Sequence, residues 1–203
     1  AGVSILLPVL LDELNAAGVP DEAVEITLAT GTHARHTAGD FAAIVGADVA
    51  ARIRWRHHDA RAAAEQADLG TTRAGTPIRL DRAIIDADLK ILTGRIIPHY
   101  FAGFGGGRKA ILPGVAGLDT ILANHRLTLD PGGTGFHPGV RPCSLAHNPV
   151  HLDMLEAAGR VEGTFVVNTL LDADHQLVGV VAGGLAATHE TGCRLAGAML
   201  RRR

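Results

Sequence analysis

An α/β fold, specifically a layered Rossmann-like domain with a largely parallel sheet flanked by helices, is predicted by three observations in this sequence. Leu7, Leu10, Leu11 and Leu14 recur at the spacing of one helix face. Val24 to Thr30 alternates apolar and polar residues at the two-residue period of a half-buried strand. The two patterns then follow one another along most of the chain, the order expected of parallel strands joined by helical crossovers.

Taken in order, residues 5–17 form an amphipathic helix, and Gly18 stands where a left-handed C-terminal cap is needed. The strand at 24–30 follows, then a helix at 38–45, a strand at 53–57, a short strand at 77–80 and a buried strand at 89–93. Further helices are expected at 118–126, 148–158 and 185–200, with strands at 165–170 and 177–181. The stretch 127–147, punctuated by Pro131, Gly132, Gly133, Gly135, Pro138, Gly139 and Pro142, is the long loop of the chain. Its length suits a lid or a contact between copies in a homo-oligomer.

With 203 residues, 47% of them apolar, the chain can bury a substantial single core, so residues 1–203 are expected to form one domain. A net charge of -2 and only 3% aromatic residues argue against nucleic acid as a partner, because neither a basic footprint nor stacking platforms are available. Apolar runs such as Ile5–Leu11 are far shorter than the roughly 20 residues of a membrane span. No secretory leader pattern precedes them. Cys143 and Cys193 lack local pairing, which fits a reducing compartment, so a cytoplasmic location is the expectation. The chain opens on Ala-Gly-Val-Ser directly before a helix and closes on Arg201-Arg202-Arg203 directly after one, so both ends read as cut from a longer protein.

Chemistry concentrates between Pro98 and His125. There a histidine, three successive glycines (Gly105, Gly106, Gly107), Arg108, Lys109 and a second histidine fall within 28 residues. The glycines remove side chains from a turn that then presents two cations, as a turn facing an anionic or electrophilic ligand would. A surface turn with a solvated lysine is the plainer alternative.

Eleven histidines must be separated by placement. His36, His57, His58, His137, His147, His151, His175 and His189 lie in polar loops, at a strand end or on helix faces, where exposure or a local hydrogen bond is expected. His33, His99 and His125 instead accompany glycines or turns at the ends of strands or a helix, where α/β sheets bind ligands. The H-E-x-x-H spacing of zinc sites is missing, so one histidine ligand would have to be supplemented by a cofactor's own donors. His125 is the candidate ligand, for nickel, copper or zinc. That leaves His33 and His99 free for proton transfer. Arg108 or Arg95 could pair with a carboxylate or phosphate.

Six ordered blocks carry a resemblance: G-T-H (31–33), L-G-T-T-R-A-G-T-P (69–77), A-D-L-K-I-L-T-G (87–94), P-H-Y-F-A-G-F-G-G-G-R-K (98–109), P-G-x-A-G-L-x-T-I-L-x-N-H (113–125) and N-P (148–149). Over nearly its whole length the chain resembles the nickel-pincer-nucleotide lactate racemase family, in its N-terminal domain. The resemblance implies a nickel-pincer nucleotide, a pyridinium-3,5-bisthiocarboxylic acid mononucleotide carrying nickel, which Lys109 can hold covalently through a thioamide. It implies that His125 completes the nickel coordination and that His33 and His99 serve as acid and base on a 2-hydroxy acid. Thr32, Gly106, Gly107 and Arg108 lie in the same blocks and are expected to contact the cofactor. Members of the family act on lactate, other 2-hydroxy acids and sugar acids, as racemases or epimerases. The sequence departs from the pattern where Gly31-Thr32-His33-Ala34-Arg35 replaces G-T-H-R-P, and an upstream D-x-T-R-P block and a second domain lie outside these residues. A non-catalytic nucleotide- or phosphate-binding module is the competing reading, and a zinc hydrolase a remote third.

Overall fold

The computed structural model describes residues 2–200, in which helices and strands alternate as an α/β fold. The first helix, α1 (Val3–Ala16), buries Leu11. It stops where Gly18 takes φ +88°, with Gly18 N–H donating to Asn15 and Val19 N–H reaching back to Leu14, the paired bonds of a glycine-capped terminus. β1 (Glu25–Leu28) and β2 (Arg54–His57) pair in parallel. Between them run α2 (Ala38–Val45), opened by a Thr37–Asp40 capping box, and α3 (Ala47–Arg52). Leu11, Phe41, Val45, Val49 and Ile53 fill the core of this region, where Trp55 stacks on Phe41 with ring centroids 4.4 Å apart.

Next come β3 (Gln66–Thr71), β4 (Pro77–Asp81), the short α4 (Arg82–Asp86) and β5 (Lys90–Arg95). Two-residue strands β6 (Pro98–His99) and β7 (Gly103–Phe104) precede a π-helical turn at Ala110–Gly114. The chain continues through α5 (Leu118–Arg126), α6 (Pro149–Ala158), β8 (Thr164–Leu171), β9 (Leu177–Gly183) and α7 (Leu185–Leu200).

The expected largely parallel sheet is subdivided. Parallel pairing is present in β1–β2 and β5–β8, which belong to separate sheets, while β3–β4, β6–β7 and β8–β9 pair antiparallel. Connection length is the reason. The few residues between β3 and β4, or between β8 and β9, can only reverse the chain, whereas a parallel neighbour needs a crossover. In the second case Asp172 closes the turn by accepting the N–H groups of Asp174 and Gln176.

The larger core gathers Ile78, Leu80, Leu92, Ile111, Met154 and Val166 between the hairpin, β5, β8, α5 and α6. Inside it Asp153 accepts hydrogen bonds from Thr72 and Thr76 hydroxyls and from Asn124 Nδ2, locking the 72–76 turn and α5 to α6. A third cluster, Ile96, Phe104, Leu170, Cys193 and Ala196, seats α7 on the end of β5. Among the described residues no helix is long and apolar enough to cross a membrane.

Candidate active site

The glycine turn follows β7 and lies flat on the β5–β8 sheet. Gly107 N–H donates to Asn168 Oδ1 of β8 at 2.7 Å, fixing the turn from below. A Cβ on Gly105, Gly106 or Gly107 would come within 2.6 Å of Arg95 O, 2.6 Å of Ile96 Cδ1 or 2.7 Å of Val166 Cγ1 respectively. Gly106 also sits at φ +117°. These glycines are therefore demanded by packing against the protein beneath them, a second reason for bare positions besides the ligand approach expected of Gly106 and Gly107.

For Arg108 the structure corrects the expectation of a cofactor contact. Its side chain is 0% exposed and points inward. Nε donates to His151 Nδ1 at 3.0 Å, Nη1 to the carbonyls of Phe104 and Gly105, and Nη2 to those of Ala102 and Phe104. Its donors are spent on the protein, so the guanidinium braces the turn and offers nothing directly to a ligand. Burial lowers its pKa to about 10, so it remains charged at neutral pH. Among the described residues no carboxylate pairs with it.

His151 and His189, expected at the surface or in local bonds, are buried. His151 stacks on His189 at 5.4 Å, and His189 Nε2 approaches Cys193 Sγ at 3.4 Å. Burial, then the Arg108 charge, holds His151 down to about 4, as its role as acceptor for that arginine requires. Burial pushes the Cys193 thiol up to about 12, leaving it an inert core residue.

On the outer side of the turn, Lys109 is half-buried, and its amine has no hydrogen-bond partner among the described residues. Burial and the neighbouring Arg108 bring it down to about 8, so more of the amine is unprotonated and nucleophilic at neutral pH than in a solvated lysine. His99, on β6, accepts at Nδ1 from the N–H groups of Phe101 and Ala102, each at 3.2 Å. Burial, then the positive charges of Lys109 and Arg108 and the nearby His125 ring, presses His99 to about 4. Tyr100 stacks on its ring at 4.7 Å. Phe101 stands between the two histidines, with centroids 6.3 Å from His99 and 6.1 Å from His125.

His125 occupies the last turn of α5, and its Nδ1 lies 2.7 Å from the Ile121 carbonyl. A carbonyl can only accept, so Nδ1 carries the hydrogen and Nε2 keeps a lone pair, the orientation of a metal-ligating histidine. Among the described residues no three His, Cys, Asp or Glu side chains converge on a common point that could hold a metal ion. A metal bound by His125 must therefore arrive with other donors. A group that brings its own donors would suit that single open nitrogen.

His33 and Thr32 follow β1, which lies in a different sheet from β5, so the two strand ends do not converge as neighbours of one sheet. A direct loop contact unites them. Gly31 N–H donates to Gly114 O at 2.9 Å, and a Cβ on Gly31 would meet Pro113 O at 3.1 Å. The G-T-H turn thus lies against the turn that Lys109 opens, with His33 and Thr32 exposed and their side chains without hydrogen-bond partners among the described residues. Arg95, at the end of β5, is half-buried.

Sequence reasoning missed the supports. Buried His58 has Nδ1 2.9 Å from Asp81 Oδ2 and Nε2 2.9 Å from the Ala116 carbonyl, while Arg56 grips both Asp81 oxygens. Burial works to raise the Asp81 pKa, but bonds from His58 and Arg56 hold it well below the ordinary carboxylate range. This ties β2 and β4 to the approach of α5. For His151, the readable signal was Asn148 three residues before it, a helix cap at the start of α6.

The chain as a whole is similar to known proteins. A family model described as the lactate racemase N-terminal domain matches residues 1–134. The lactate racemase of Thermoanaerobacterium thermosaccharolyticum is 36% identical over 189 residues, which is 93% of this chain and 43% of that protein. That of Lactiplantibacillus plantarum is 34% identical with the same coverage. The chain thus spans less than half the length of these curated relatives. The solved lactate racemase apoprotein from the former organism superposes with a TM-score of 0.88 and 34% identity, over 97% of this chain and 46% of that one. A Thermotoga maritima crystal structure shares the fold, with a TM-score of 0.76 at 18% identity, over 97% of this chain and 51% of that one.

Proposed function

This chain belongs to the family of lactate racemase N-terminal domains, and from that premise we propose that it is the cofactor-binding part of a nickel-dependent racemase or epimerase of 2-hydroxy acids. The observation that carries the reading is the gathering of His99, Lys109 and His125 around one turn, with His125 Nε2 left open by the bond from Nδ1 to Ile121.

In this reading Lys109 holds the nickel-pincer nucleotide through its partly unprotonated amine, and His125 ligates the nickel through Nε2. When bound, that group supplies an acceptor for the substrate's α-hydrogen as hydride. Such an acceptor is needed because an unactivated α C–H is too weak an acid for an imidazole. His33 and His99 then handle the hydroxyl oxygen, whose proton must leave as the hydrogen leaves carbon and return when it returns. The planar 2-keto acid formed between these events can take hydrogen back on either face. Thr32, beside His33, is placed to meet the substrate or the nucleotide. The glycines and Arg108 set where Lys109 stands.

The test is to produce the chain in a host that makes the cofactor. Nickel bound at one equivalent and a covalent mass increase that disappears in Lys109→Ala are the expected results, and interconversion of lactate or another 2-hydroxy acid is assayed on the full-length protein that contains this chain. Protein that emerges with no nickel and an unmodified mass would overturn the assignment.

A further inference from the structure

Resting on that reading, we infer that His151 is a positioning residue for Lys109: by accepting from Arg108 it moors to α6 a buried guanidinium without a counter-ion, and so sets the direction and reactivity of the amine that the cofactor meets. Arg108 and Lys109 are consecutive, one side chain buried and the other reaching outward, so the peptide they share passes any movement of the first to the second. The carbonyls that accept from the Nη atoms belong to Ala102, Phe104 and Gly105, three to six residues back, and would travel with the turn. His151 alone among the partners lies far off in the sequence, 43 residues on. Asn168 holds the backbone of the turn through Gly107 N–H, and His151 holds its arginine side chain, two attachments on different elements.

His151 is itself fixed on three sides. Its N–H donates to Asn148 Oδ1, Asn148 Nδ2 donates in turn to the Phe101 carbonyl, and its ring stacks on His189 of α7. A guanidinium can only donate, so Nδ1 keeps its lone pair and the hydrogen of the neutral ring resides on Nε2. Burial, then the Arg108 charge, which hold the ring at about 4, leave that lone pair in place across the neutral range.

The neutrality of this acceptor has an electrical consequence. A carboxylate would bind the arginine more strongly, but it would also cancel the charge. Among the described residues neither Arg108 nor Lys109 has a carboxylate at ion-pairing distance. The groups that face Lys109 are Arg108 from beneath and His99 from β6, both basic. In the low dielectric of the interior the uncancelled guanidinium acts on the next side chain, and burial, then Arg108, brings that amine to about 8. Imidazole thus combines what no carboxylate can: it anchors the arginine and leaves its charge to favour the free-base lysine.

Competitive labelling of the cofactor-free chain with isotopic acetic anhydride, from pH 6 to 10 and read by mass spectrometry, tests the claim. The amine lone pair forms an N–C bond to the acetyl carbon, the anhydride C–O bond breaks, and acetate and the amine proton leave, so the rate follows the free base. Lys90 and Lys109 are the lysines of the chain, and Lys90, on β5, serves as internal reference. At position 151, Asn places a neutral acceptor where Nδ1 stood, Asp a charged one and Leu none. His151→Asn is expected to keep the Lys109 midpoint. His151→Asp should raise it by about one pH unit, roughly tenfold less free amine at neutral pH. His151→Leu should raise it at least as far, as the amine swings into solvent. Lys90 should stay constant throughout. A Lys109 midpoint equal in the Asp and Asn variants, or equal in Leu and Asn, overturns the inference, as does a parallel shift at Lys90. If circular dichroism shows the Leu variant unfolded, the Asn and Asp pair decides alone. The racemase reading fails separately, on the nickel content and mass of the unmodified protein from a host that makes the cofactor.

Discussion

Identical side chains in this protein are given different work by what their ring or guanidinium touches. Arg108 shows it most plainly, since a residue in a cofactor-family block turns out to be a buried brace. Replacing it with Met would remove donors from the Phe104 and Gly105 carbonyls and from His151 Nδ1 in the interior, while Ala102 O keeps the Phe104 N–H. Urea denaturation should show a loss of about 3 kcal/mol, the scale of breaking a buried charged network. His33→Ala should behave in the opposite sense, leaving the urea midpoint unchanged because the side chain is exposed and unbonded among the described residues, while activity of the loaded protein falls by ~10² to 10⁴. A midpoint that moved would mean His33 has a structural partner. The sequence made His33, His99, Lys109 and His125 visible because each stands at a turn or terminus where glycine spacing betrays the backbone. It concealed Arg108, because the direction a side chain takes from a turn depends on neighbours more than 40 residues away, His151 and Asn168.

Among the elements, α5 matters most because it carries His125. Its boundaries, 118–126, were legible from spacing alone, as were those of α2 and α7, all helices with a periodic apolar face. What the sequence did not reveal was α3, β3 and α4, which are short and whose apolar residues pack against other elements rather than repeating along their own. Nor did it reveal how α5 is held, by Asn124 bonding Asp153 and by Thr120 Oγ1 accepting from Arg79 N–H. Asn124→Ala should lower stability by about 1–3 kcal/mol by removing a donor from a buried carboxylate. By loosening the residue before His125, it should also weaken nickel retention ~10- to 100-fold, the range seen when supports of metal ligands are removed. Equilibrium dialysis of the loaded protein against a chelator measures the second effect. Unchanged retention would place the rigidity of His125 in its Ile121 bond alone.

At the scale of the molecule, the α/β class was readable and the sheet partition was not, since strand neighbours depend on connection geometry that periodicity does not encode. Burying neutral imidazoles gives the whole fold a defined acid response. His151 and His189 are held far below the usual histidine value of about 6.5, His151 at about 4. The unfolded chain therefore binds more protons than the folded one between about pH 6.5 and 4. Stability is complete above that window and declines as pH falls through it. Chemical denaturation across pH 4 to 7 should show this decline, and His151→Asn should make it shallower by about one proton. A slope unaltered by that substitution would show that His151 protonates without cost.

Trp55, the sole tryptophan, stacks on Phe41 in the smaller core rather than beside the glycine turn. Its emission is consequently a local beacon. It should report the melting of the α1–α3 region while staying constant as nucleotide or substrate is titrated in, so fluorescence and nickel release can be followed in one sample as independent clocks for the two halves of the chain.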